Sequence, residues 1–165
     1  MHFEVEHEFA AEPSRVADVL CDPEFHRGLD LPDLSRPEVL EHTVDGPRRV
    51  LRLRYEYVGQ LDPIGRTVLG HRRLTWVQEL RLDTGTFRGT LGFAADADEK
   101  RMHGEAGVAI VAGATSGTSR RRIAGDFHVR VPVVGGRAER AIVPGLVRRL
   151  DVEAAALASE LTSRG

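Results

Sequence analysis

The sequence predicts an α+β fold: a curved, seven-stranded antiparallel sheet wrapped on a long C-terminal helix. Three observations carry this expectation. After a strand-like run that stops at Pro132 and a Gly135-Gly136 break, one amphipathic helical pattern covers 136–162. Upstream, apolar and polar residues alternate in short segments separated by turn signals, which is the pattern of half-buried strands. Two short helical stretches, near Pro13 and Pro23, interrupt that run after its first strand.

The first strand is read from Phe3, Val5, His7 and Phe9 alternating with Glu4, Glu6 and Glu8. Pro13 suits the first turn of a helix, where its missing N–H costs nothing. Val16, Val19 and Leu20 make that helix's apolar face. Asp22-Pro23 ends it, because a residue before proline avoids the helical region. A second short helix is expected over 24–29. Strands follow at 38–44, 49–58, 74–82, 87–93, 102–111 and 119–131. Between Gly59 and Gly70, the segment Asp62-Pro63-Ile64-Gly65-Arg66 reads as either a brief helical turn or an open loop. The short connections favour antiparallel neighbours.

The faces separate cleanly. Leu51, Leu53, Tyr55 and Tyr57 share one side of their strand, and Arg52, Arg54 and Glu56 share the other. Leu74, Trp76, Gln78, Leu80 and Leu82 align, as do Phe87, Leu91 and Phe93, and then Ile123, Phe127, Val129 and Val131. One apolar concave face and one charged convex face fit an antiparallel sheet solvated on one side. Glycines inside the strands permit bulges and sharp bending.

The terminal helix carries Ala138, Ile142, Leu146, Leu150, Leu157 and Leu161 in an apolar stripe, flanked by Arg140, Arg148, Arg149, Glu153 and Glu160. Pro144 interrupts it. Either the helix kinks there, or one helix ends at Val143 and a longer one starts at Pro144.

A chain of 165 residues with formal charge −2 fits one domain, 1–165. That charge gives no global attraction to nucleic acid or anionic membranes. The single cysteine, Cys21, excludes an intramolecular disulfide and suits a reducing compartment. No apolar run approaches the ~18 residues of a membrane span, and the N-terminus has no signal-peptide pattern. A soluble, cytoplasmic protein is expected.

Few residues point to chemistry. The histidines, at 2, 7, 26, 42, 71, 103 and 128, show no metal-ligand spacing. No phosphate-binding loop or Gly-x-Ser-x-Gly motif occurs, so no cofactor, metal site or catalytic residue is expected. Gly135-Gly136 reads as a backbone turn before an anion site. Arg120 and Arg122 face outward with Arg121 opposite, a solvated basic run and not a nucleic-acid site.

The order strand, two short helices, six strands, long helix resembles the START-like superfamily, also called SRPBCC, with its helix-grip fold. The opening, Phe9-Ala10-Ala11-Glu12-Pro13-Ser14-Arg15-Val16 followed by Leu20-Cys21-Asp22-Pro23, is similar to that family's first strand, helix and Asp-Pro loop. The passage from Val129 to Glu139, with Pro132 and Gly135-Gly136, resembles an uncharacterised, domain-of-unknown-function branch of it. The resemblance implies a pocket between sheet and helix, and supplies no catalytic residues. The inward faces then offer a candidate ligand-binding wall: Tyr55, Tyr57, Trp76, Gln78, Leu80, Phe87, Leu91, Phe93, Phe127, Val129, Ile142, Leu146 and Leu150. The expected function is binding or carriage of an apolar small molecule or lipid. Two alternatives stand beside it: a cyclase- or aromatase-like enzyme using the same cavity, and an interaction module whose cavity is filled by its own side chains.

Overall fold

The computed structural model describes residues 1–70, 72–96 and 98–164, with Val68 and Leu69 described by backbone alone. His71, one of the seven histidines, lies outside the described residues. The chain runs β1 (His2–Phe9), α1 (Pro13–Leu20), α2 (Pro23–Arg27), β2 (Glu38–Asp45), β3 (Arg48–Glu56), α3 (Pro63–Leu69), β4 (Thr75–Asp83), β5 (Arg88–Ala95), β6 (Met102–Ala112), β7 (Ser119–Val129) and α4 (Gly135–Ser163).

The strands form one antiparallel sheet in the order β1-β7-β6-β5-β4-β3-β2. The chain starts at one edge, crosses to the other through α1 and α2, and returns strand by strand until β7 pairs with β1. Local signals set the helix starts. Pro13 opens α1, and the Asp22 carboxylate accepts the Glu24 N–H at 2.9 Å to cap α2 behind Pro23. Asp62 caps α3 in the same way, accepting from Gly65 N–H at 2.6 Å. The helical alternative for this segment is therefore the one the chain adopts.

Two glycines let the sheet coil tightly. A Cβ on Gly89 would sit 1.8 Å from the Arg81 carbonyl oxygen, and one on Gly125 would sit 2.1 Å from that of Glu105. Only a residue without a side chain tolerates such an approach.

Several boundaries differ from the sequence reading. Phe87 is not in a strand: it closes the β4–β5 turn with φ of 55°, its N–H donating to the Asp83 carbonyl at 2.7 Å. Tyr57 lies beyond the end of β3 and bridges to Leu34 instead. The last strand stops at Val129, not at residue 131. The helix α4 runs unbroken through Pro144, so the chain does not split into two helices there. At 1.5 Å per residue its 29 residues span about 43 Å.

That length gives α4 two environments. The helix packs against β1, β7 and α1, and in its C-terminal half Leu150 and Leu157 are fully buried. Each such side chain contributes roughly 1.5–3 kcal/mol of burial. In its N-terminal half Ile142 and Leu146 are only half-buried, because there the helix stands off the sheet.

Candidate functional site

The gap between that half of α4 and the sheet is a cavity of about 550 Å³. The ends of β4 to β7 supply Trp76, Phe93, Met102, Phe127 and Val129, while α3 and the segment before it add Leu61 and Ile64. Leu34 closes one side, and Ala138, Ile142, Gly145 and Leu146 form the roof. Charged residues at the rim include Asp33, Asp62, Arg72, Arg73 and Arg148, all exposed. Apolar walls behind a charged rim are the usual build of a small-molecule site.

The candidate wall residues fall into two groups. Tyr57, Trp76, Phe93, Phe127, Val129, Ile142 and Leu146 line the cavity. Tyr55, Gln78, Leu80, Phe87, Leu91 and Leu150 do not. Tyr55 is fully buried behind Trp76, the rings stacked 5.8 Å apart at 22°. Gln78, Leu80 and Leu91 border a second cavity of only about 20 Å³, Leu150 sits in the packed core, and Phe87 is at the far turn. Alternation identifies the face a residue takes, not how far along the strand the helix lifts away. The lining also includes α3 and Leu34, for which the sequence showed no apolar periodicity to follow. The signal for α3 was Asp62-Pro63, an N-cap followed by proline.

Beneath the cavity lies a polar cluster that the sequence reading missed. Arg149 and Glu153 flank the helix stripe in the sequence, but both are buried. α4 packs against β1 and β7 and also against α1, which itself contacts β6 and β7, so a flank of the helix is interior too. Arg121, on the inward face of β7, donates to Glu153 at 2.5 Å and to His7 Nδ1 at 3.2 Å. His7 Nε2 in turn hydrogen-bonds Asp151 at 2.8 Å. Since a guanidinium can only donate, His7 Nδ1 accepts and Nε2 carries the proton. The signal was available: an arginine on an inward strand face requires a buried acid, and α4 is what that face meets.

The cluster's electrostatics follow from burial. Burial opposes ionisation of Glu153, but Arg121, then His26 and Arg149, outweigh it and hold the carboxyl below its ordinary range. His26 is buried on α2, where desolvation, opposed by Glu153 and the Leu20 carbonyl, holds its ring below the usual histidine value. Its Nε2 donates to that carbonyl at 2.7 Å. Burial raises the Cys21 thiol to about 11, which removes it as a nucleophile at neutral pH. Burial likewise raises the Tyr55 phenol to about 12, against the pull of Arg149. No group of three or more potential metal ligands occurs among the described residues. Arg120 and Arg122 face outward and pair with Glu6 and Glu4 on β1, at 3.4 and 2.7 Å.

A seven-stranded antiparallel sheet gripping a long C-terminal helix, with two short helices after the first strand, is the START-like helix-grip fold. Solved structures share it end to end. The crystal structure of TTHA0849 from Thermus thermophilus matches with a TM-score of 0.70 at 15% identity, covering 100% of this chain and 99% of that one. The Zhui aromatase/cyclase from Streptomyces sp. R1128 matches at 0.69 and 17% identity, covering 99% and 94%. A START superfamily protein from Mycobacterium smegmatis matches at 0.57 and 15% identity, covering 99% of each chain. At these identities the likeness is one of fold. Within that class, residues 4–160 match the family described as protein of unknown function, DUF2505, and the chain belongs to it. No curated protein matches the chain. No helix among the described residues is long and apolar enough to cross a membrane.

Proposed function

We propose that the protein binds and carries an apolar small molecule or lipid in the cavity between sheet and α4. The observation that carries this reading is the cavity itself: at about 550 Å³ it falls inside the roughly 300–1,000 Å³ range of ligand sites. An interaction module filled by its own side chains would leave no such space. The described carboxylates of the wall, Asp33, Asp62 and Asp98, stand toward solvent and not in the apolar interior. An acid–base pair converging on a substrate would be needed for cyclase chemistry, so carriage is the better-supported reading. A reducing, cytoplasmic setting suits the buried, unpaired Cys21.

Trp76 is the only tryptophan and stands on the cavity wall, so it reports occupancy. Titration with a neutral naphthylamine dye is expected to shift Trp76 emission saturably, with one dye per chain. Unsaturable dye uptake with unchanged tryptophan emission would refute the reading.

A further inference from the structure

We infer that the ligand is a monoanion, an apolar body ending in a carboxylate, and that Arg149 holds its head. This rests on the carriage reading above and names the class of molecule the cavity takes. Arg149 reaches the cavity wall from α4 and is only 9% exposed. Its Nη2 donates to Gln78 Oε1 at 2.5 Å, and its Nη1 is buried with no hydrogen-bond partner. The guanidinium carbon lies 5.4 Å from the centre of the Tyr55 ring and 5.5 Å from that of Phe93.

Charge counting makes the gap specific. Among the described residues Arg149 has no carboxylate within ion-pair distance; Glu153, the buried acid of this cluster, is bound to Arg121. Two buried guanidiniums therefore share one carboxylate. Between these two guanidiniums and the one carboxylate the surplus is a single positive charge. An unpaired buried cation is costly to a fold. The aromatic rings and the Gln78 amide offset part of that cost, but neither supplies a negative charge. A carboxylate supplies it and engages two N–H groups of the guanidinium fork at once. Phe93, Ile142 and Leu146 beside it then line the apolar body, which runs out toward the rim. One surplus charge matches a carboxylate better than a doubly charged phosphate.

The test compares two probes with the same apolar body, decanoate and decanol, by displacement of the neutral naphthylamine dye from the full chain. Decanoate is expected to bind at least about 10-fold tighter than decanol at neutral pH, the gain of a charge-assisted, forked pair. Arg149→Met brings that ratio to about one, and Arg149→Lys, a point charge without the fork, leaves it between the two. Equal binding of both probes to the unmodified protein overturns the inference and leaves carriage standing; this arm needs no variant to fold. A preference that survives in Arg149→Met overturns the assignment to Arg149. If neither probe nor dye binds, carriage fails and the inference fails with it.

Discussion

Removing the Arg121 guanidinium tests the account of the interior. Arg121 is 1% exposed and Glu153 5%, so Arg121→Met leaves a carboxylate buried without its main partner. Breaking one side of a buried pair costs about 3–5 kcal/mol. In a chain of this length each kcal/mol is worth roughly 2–4 °C, so the melting temperature should fall by about 6–20 °C. Arg121→Met also takes the donor from His7 Nδ1, which adds to the loss. Adding Glu153→Leu removes the stranded charge, and the double variant should recover to within about 1–2 kcal/mol of the parent, since a well-packed apolar replacement of a buried pair is often neutral. The assay is urea denaturation of the four proteins of the cycle at neutral pH. Acid gives a second signature. Arg121 holds the Glu153 pKa down, so its contribution is complete above the ordinary value of 4.5 and is lost as pH falls through the folded-state value. The gap between parent and Arg121→Met should therefore narrow in acid. A single-variant cost below about 1 kcal/mol, or a double variant that costs the sum of the singles, would refute the buried-pair reasoning.

Three further outcomes are expected. His26 is held below its ordinary 6.5, so the unfolded chain takes up a proton that the folded one refuses; stability is complete above 6.5 and falls as pH drops below it. Unfolding free energies from urea denaturation between about pH 7.5 and 5.5 should fall at up to ~1.4 kcal/mol per pH unit below 6.5, and His26→Gln should flatten the slope; an equal slope in both proteins would contradict this. Val133 is fully exposed with φ of 73°, a left-handed conformation that costs a β-branched residue about 1–2 kcal/mol, so Val133→Asn should raise the melting temperature, and a lower one would show that no strain was stored there. Pro144 leaves the Arg140 carbonyl without its helical donor over the cavity, so amides 137–143 should exchange faster than 146–157 and slow when ligand binds; equal protection would make the proline a static feature.

Much of the fold was legible because its signals are local. Glu4, Glu6 and Glu8 alternating with Phe3, Val5 and Phe9 identify a half-buried strand without reference to anything else. Asp22-Pro23 and Asp62-Pro63 mark helix starts by the same chemistry, a capping carboxylate followed by proline. What stayed hidden depends on distant contacts. Trp76 and Leu80 share a face of β4, yet only Trp76 meets the cavity, because the divergence of α4 from the sheet decides it. Arg149 and Glu153 flank the apolar stripe in the sequence, and only the packing of α4 against the sheet and α1 makes that flank interior. Phe87 continued a strand's alternation but closes a turn at positive φ.

The central claim is that the space under α4 is a ligand site, and filling it tests this most directly. Gly145 lies on the cavity roof, and a Cβ there would meet only the Arg148 guanidinium at 3.7 Å. Gly145→Phe should therefore occupy the cavity, and replacing a mid-helix glycine regains up to about 1 kcal/mol of helix stability. Calorimetric titration with decanoate is expected to give one saturable site in the parent and at least about 10-fold weaker binding in Gly145→Phe, with the melting temperature kept or raised, a loss of about 1.4 kcal/mol or more in binding. Equal binding by the two proteins, or no saturable site in the parent, would contradict the account.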